Sequence, residues 1–108
     1  MDRRERLLAQ PPPEFVNVLT FAYPMIVDRY VARGIGAAGY MVEVVPGPDQ
    51  PVLRAYLDEL LDGEAIDNSD LREFLNRNSA WWSFETKCAR TFLEGLRGSL
   101  IERMRTNA

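Results

Sequence analysis

The chain has 108 residues, with 16 acidic and 13 basic side chains, a formal net charge of −3 and 46% hydrophobic residues. These values are those of one ordinary globular domain, residues 1–108, and they exclude a disordered chain. Histidine is absent and Cys88 is the single cysteine, which excludes Ser-His and Cys-His nucleophile pairs, an intrachain disulfide and a cysteine-based zinc site.

The first ten residues are rich in charge and are followed by three prolines, Pro11 to Pro13. Residues 1–12 predict a frayed segment or a short helix, with Pro13 placed to open the next helix. No apolar signal segment follows them. The longest apolar stretch, 15–27, is too short and too polar to cross a bilayer. We therefore expect no membrane partner, and the lone cysteine makes a reducing cytoplasm the simplest location.

The segment from Glu14 to Arg33 predicts a central helix, kinked where Pro24 removes one backbone donor. Its apolar residues recur at steps of three and four, namely Phe15, Leu19, Ala22, Ile26 and Tyr30. The alternative is a small hairpin within residues 25–45, which would make the fold α+β.

Three glycines, Gly34, Gly36 and Gly39, have the G-x-G-x-x-G spacing of dinucleotide-binding loops. Such a loop needs a strand before it and a helix after it, whose N-terminus holds the pyrophosphate. Here the preceding segment is predicted to be the end of a helix, and the following segment is predicted to be a short strand or an extended loop. We interpret these glycines as a helix stop and a connection, and we predict no cofactor.

The clearest predicted helix runs from an N-cap at Asp49 to a stop at Gly63, with Pro51 in its first turn. Its apolar face consists of Leu53, Tyr56, Leu57, Leu60 and Leu61. Three carboxylates are left toward water: Asp58, Glu59 and Asp62. A shorter helix, capped at Asn68 or Ser69 and ended by Asn76 and Asn78, turns Leu71, Phe74 and Leu75 inward.

Ser79 then caps a long helix that reaches about Met104. Gly95 and Gly98 inside it predict close helix packing or a bend. The predicted apolar stripe of this helix is Trp81, Phe84, Cys88, Phe92, Leu96 and Leu100. The elements together predict an all-α fold, a compact bundle of four or five helices with a glycine-rich connection.

Charge is unevenly distributed along the chain. Residues 43–73 hold nine acids against two arginines, a net of −7, whereas residues 87–105 hold five bases against two acids, a net of +3. Solvated helix faces and helix-start acids account for such runs in most proteins. The functional interpretation is an acidic docking surface for a basic protein. The negative potential of such a surface would repel the phosphates of a nucleic acid. The acidic stretch does not match an EF-hand loop, so we predict no metal.

The function predicted from these features is binding of a basic protein. We expect the following residues to form the interface, the last two as apolar anchors: Asp58, Glu59, Asp62, Glu64, Asp67, Asp70, Tyr40 and Trp82. In size and charge only, the chain is similar to bacterial immunity proteins and antitoxins that neutralise nuclease toxins. An acidic secretion-type chaperone or dimeric adaptor, with the C-terminal helix as the dimer seam, is the alternative, and an enzyme ranks last. A monomer or a homodimer is expected.

Overall fold

The computed structural model describes residues 3–21, 45–62, 66–78 and 86–106, and within these ranges it contains five α-helices and no strand. The helices are α1 (Arg3–Ala9), α2 (Pro13–Phe21), α3 (Gln50–Leu60), α4 (Asn68–Asn78) and α5 (Thr86–Thr106), with a 3-10 turn at Gly47–Asp49 before α3. The radius of gyration is 13.3 Å, near the ~13 Å of a folded domain of this size. The all-α prediction is therefore confirmed, while the alternative hairpin, the kink at Pro24 and the glycine loop lie outside the described residues.

Three aromatic rings from three helices meet in the core. Phe15 of α2 stacks on Phe74 of α4 with ring centroids 5.4 Å apart, and it lies 5.3 Å from the tilted ring of Tyr56 on α3. Tyr56 and Phe74 complete the triangle at 6.5 Å. Rings at these separations attract one another beyond their burial alone, so this aromatic cluster fixes α2, α3 and α4 relative to one another.

The apolar faces predicted for α3 and α4 are the faces that the structure buries. All five predicted residues of α3 and its end are less than 9% exposed, and the three predicted residues of α4 are fully buried. In α2, Val18 joins Phe15 and Leu19 in the core. Helical spacing placed these residues correctly because each helix has one continuous apolar stripe.

The buried stripe of α5 differs from the predicted one by rotation about the helix axis. Its fully buried residues are Ala89, Leu93, Leu96 and Leu100, whereas Phe92 is only partly buried against the core. Leu96 and Leu100 were predicted correctly; the side chain of Cys88 and residues 79–85 lie outside the described part of the chain. Phe92 was predicted within the stripe, but the neighbouring residues Ala89 and Leu93 are the fully buried ones, on the side of α5 that packs against α4 and α3.

Two helix starts differ from the predicted caps. Asp49 precedes α3, but its backbone is helical (φ −82°, ψ −19°) and its side chain makes no capping hydrogen bond, because it already belongs to the 3-10 turn. At α4 the cap is Asp67, one residue before the predicted Asn68, and its Oδ1 accepts a hydrogen bond from the Asp70 N–H at 2.8 Å. The predicted end at Asn78 is confirmed, and its Nδ2 donates to the Phe74 carbonyl at 2.8 Å.

Gly98 does not serve close packing. It lies on an exposed part of α5, and a Cβ built on it would have no atom within 4 Å. The prediction of a tight helix contact at this residue is therefore wrong, because Gly98 faces away from α3 and α4.

We expect Gly98→Ala to raise the free energy of unfolding by about 1 kcal/mol, since alanine is the better helix former and nothing obstructs its methyl group. Urea unfolding followed by circular dichroism measures this change. An unchanged or lowered stability at low protein concentration would contradict the open surroundings of this residue.

We expect Phe74→Ala to lower the free energy of unfolding by about 3–5 kcal/mol, because it leaves a cavity and removes two ring contacts. Val52→Ala is the matched control, since Val52 is 44% exposed and its truncation should change stability by less than about 0.5 kcal/mol. Equal effects of the two substitutions would contradict the central place of the aromatic cluster.

Candidate protein-binding surface

The last turn of α3 and the turn that follows it carry three carboxylates, Asp58, Glu59 and Asp62, which we call the acidic face. All three are exposed, as the sequence predicts. Asp58 and Glu59 lie on α3, opposite its buried side, and Asp62 lies two residues beyond the end of α3, where its N–H donates to the Glu59 carbonyl at 3.4 Å. Their attachment to a helix anchored in the core makes the acidic face a preorganised cluster of hydrogen-bond acceptors.

Arginines from other parts of the chain approach the acidic face. Asp58 lies 3.7 Å from Arg54 Nε, one turn earlier on α3, and 3.9 Å from an Nη of Arg97 on α5. Asp62 lies 3.4 Å from an Nη of Arg3 on α1. Asp58 and Asp62 are 50% and 66% exposed, and exposed pairs of this kind contribute only about 0–1 kcal/mol each. Glu59 has no ion pair among the described residues.

The two predicted carboxylates of α4 have structural contacts of their own. Asp67 caps α4, as described above, and Asp70 pairs with Arg4 of α1. Asp70 is also the less exposed partner of that pair, with 24% of its side chain accessible. A change at either residue therefore alters a helix cap or an interhelical contact as well as surface charge.

Three of the predicted interface residues, Tyr40, Glu64 and Trp82, lie outside the described residues. Their role in binding, like that of the carboxylates, stays a prediction. The described part of the surface thus comprises the acidic face together with Asp67 and Asp70.

Nothing in the sequence predicts that arginines of α1 and α5 meet the acidic stretch. The partners in these ion pairs are separated by 59, 66 and 39 positions for Arg3–Asp62, Arg4–Asp70 and Arg97–Asp58. No periodic signal connects residues so far apart. The net of −7 counted along the chain therefore overstates the negative charge of this surface in the fold.

A groove of about 470 Å³ lies between α1 and α3, beside the acidic face. Its lining residues are Arg3, Arg6, Leu7, Gln10, Tyr56 and Glu59. The Tyr56 hydroxyl donates a hydrogen bond of 2.6 Å to the Leu7 carbonyl, and burial raises the pKa of Tyr56 well above its usual value. Tyr56 thus belongs both to the aromatic cluster and to the contact that holds α1.

A second groove, of about 320 Å³, lies where α5 passes the start of α4. Arg90 of α5 donates to Asn68 Oδ1 at 3.1 Å and to the Ile66 carbonyl. These two hydrogen bonds attach α5 to the residues that lead into α4. These contacts indicate that Arg90 stabilises the packing of α5 against the start of α4.

The described apolar residues of α5 pack against other helices of the same chain. Leu96 and Leu100 are fully buried, and α5 packs on α3 and α4, so these two residues of the stripe are covered within the chain. Val52 is the exposed large hydrophobic residue of the described ranges. Across the same ranges, none of the helices combines the length and the apolar character needed to cross a membrane.

Comparison with protein-family models, with curated proteins and with solved structures finds no match to this chain.

Tyr56→Phe tests the hydrogen bond to Leu7. Below pH ~10 we expect the variant to be less stable by about 1 kcal/mol, the usual contribution of one such bond. A pKa raised in the folded state means that wild-type stability is lost as pH rises above the unfolded value of about 10, with a slope approaching 1.4 kcal/mol per pH unit.

The phenylalanine variant lacks this titration. The stability difference should therefore shrink and then reverse between about pH 10 and 11. Urea unfolding of both proteins at several pH values measures it. A difference that stays constant across this range would contradict the buried, hydrogen-bonded hydroxyl.

Proposed function

We propose that this chain is a non-catalytic, cytoplasmic module that binds a basic protein through the acidic face of α3. The observation that carries the proposal is the exposure of Asp58, Glu59 and Asp62 together at the end of a helix whose other side is buried in the core. Such a face presents several acceptors without a loop having to become ordered, which lowers the entropic cost of binding.

The charges already present on the acidic face favour a cationic partner. Asp58 and Asp62 interact with exposed arginines at 3.4–3.9 Å, and Arg or Lys side chains of a partner offer the same chemistry. Exchange of one guanidinium for another at an exposed carboxylate costs little. Complementary charge also accelerates association and discriminates against acidic proteins.

The finer proposal is an inhibitor of the bacterial immunity or antitoxin type, directed at a basic toxin such as a nuclease. A nuclease must bind phosphates in a cationic cleft, and carboxylates spaced along α3 would occupy that cleft in their place. The small size, the net charge of −3 and the helical fold support this proposal. Glu64, Asp67, Asp70, Tyr40 and Trp82 would extend the contact around the acidic face.

The alternative function is an acidic chaperone or dimeric adaptor. It would need an apolar surface for an extended client or for a second copy. Because Leu96 and Leu100 are buried within the chain, that surface would have to be formed by other residues than the stripe of α5.

The acidic face is tested by neutralising it in the full chain with D58N/E59Q/D62N. We expect the tagged wild-type protein to retain a basic partner from a lysate at about 50 mM salt and to release it near 500 mM, because screening shortens the range of charge attraction. The triple variant should retain at least about tenfold less of that partner, since it loses three acceptors for charged groups.

E14Q/E94Q/E102Q is the matched control, because it removes the same charge from α2 and α5. It should bind as the wild type does, and the captured partner should lose its nuclease activity in the complex. Equal loss in both variants would show a response to net charge alone. Unchanged binding by D58N/E59Q/D62N would overturn the proposal, and a self-dimer without any partner would favour the adaptor alternative.

A further inference from the structure

The first helix, α1, is attached to the rest of the fold mainly through polar groups. None of its seven residues is fully buried, and only Leu7 and Leu8 pack partly against the core. At its start, Arg3 pairs with Asp62 and Arg4 pairs with Asp70. The two arginines therefore contact the end of α3 and the start of α4.

The end of α1 is held by two side chains that bind its last carbonyls. The Tyr56 hydroxyl donates to the Leu7 carbonyl at 2.6 Å, and an Nη of Arg77 donates to the Leu8 carbonyl at 3.2 Å. The last carbonyls of a helix have no partner within the helix, so these donors substitute for a cap. Together Tyr56, Asp62, Asp70 and Arg77 form what we call the α1-binding surface.

Every other described helix contributes buried residues to the core, whereas α1 contributes none, so we expect α1 to detach more easily than the others. Exposed ion pairs contribute little to stability and weaken with salt. A seven-residue helix is not stable by itself, and the groove of about 470 Å³ beside it shows that α1 and α3 are not closely packed there. Detachment exposes little apolar surface, so it should occur without unfolding the core.

We propose that α1 is a displaceable internal ligand, and that a basic amphipathic helix of the partner takes its place on the α1-binding surface. This inference rests on the proposed function and names the partner element. The chemistry of that element is the chemistry of α1 itself: two adjacent arginines for Asp62 and Asp70, followed one turn later by two leucines. Detachment of α1 also removes Arg3 from Asp62, so Asp62 becomes available to the partner and the acidic face becomes more negative.

The first measurement is amide hydrogen exchange of the full chain at low and high salt. We expect residues 3–9 to exchange faster than α3 and α5, and to lose further protection as salt rises. The proposal would be overturned if the amides of α1 exchanged only at the rate of the core amides and if their exchange did not respond to salt.

The second measurement is the affinity of a fluorescent synthetic peptide with the sequence of residues 1–12 for full-length variants. In the wild type, α1 competes with the peptide at the high effective concentration of a tethered segment. In Arg4→Glu this competitor is weakened, so the peptide should bind at least about tenfold more tightly than it binds the wild type. Arg105→Glu is the control, because it makes the same charge change on an exposed residue of α5 that pairs with Glu102.

A peptide in which Arg3 and Arg4 are both replaced by glutamate should not bind. Equal peptide affinity for the Arg4 and Arg105 variants would overturn the proposal. If Arg4→Glu does not fold, the affinity of the peptide for Arg4→Gln is compared with its affinity for Arg105→Gln instead. Failure of these tests leaves the capture experiment unaffected, because retention of a basic partner does not require α1 to move. Since Asp62 belongs to both surfaces, D58N/E59Q, which keeps Asp62, separates the two proposals.

Discussion

The contact among Phe15, Tyr56 and Phe74 is the interaction on which the described structure depends. It joins three helices that are far apart in the chain, and each ring is contributed by the buried face of its helix. The orientation of α3 follows from it, because the ring of Tyr56 points into the cluster and the carboxylates on the opposite side must then face water. The acidic face is thus a consequence of core packing. Its position does not depend on the ion pairs around it, which are exposed and individually weak.

Tyr56 connects this core to α1, the helix that we propose to be displaceable. Its ring packs in the aromatic cluster, while its hydroxyl donates a partly buried hydrogen bond to the Leu7 carbonyl of α1. A buried ring with a polar end allows one residue to contribute to stability and to a surface contact. Attachment of α1 therefore uses a donor that is already fixed in place, and no loop must become ordered to form it.

The distribution of charge in the fold changes how the acidic stretch should be understood. Arginines of α1 and α5 meet Asp62, Asp70 and Asp58, so much of the apparent surplus is balanced internally. A partner must therefore replace guanidinium groups that are already present, which favours proteins with several well-placed cations over any positively charged surface. This requirement links the proposed binding of a basic protein to the proposed exchange of α1, since both replace an internal arginine by an external one.

The sequence by itself determined the helices and their buried faces where the pattern was local. The stripe from Leu53 to Leu61, the inward residues of α4 and the exposure of Asp58, Glu59 and Asp62 all follow from a spacing of three and four residues. Asp49 holds the predicted N-cap position of α3 but makes no side-chain capping bond, because it belongs to the 3-10 turn. The cap of α4 lies one residue earlier than Asn68, because Asp67 accepts a hydrogen bond from the N–H of Asp70. Only the tertiary structure decided that Ala89 and Leu93 are fully buried while Phe92 is partly buried, since that depends on which side of α5 faces the neighbouring helices. It also decided which arginine meets which carboxylate, because ion pairs between residues 39 to 66 positions apart leave no periodic trace in the chain.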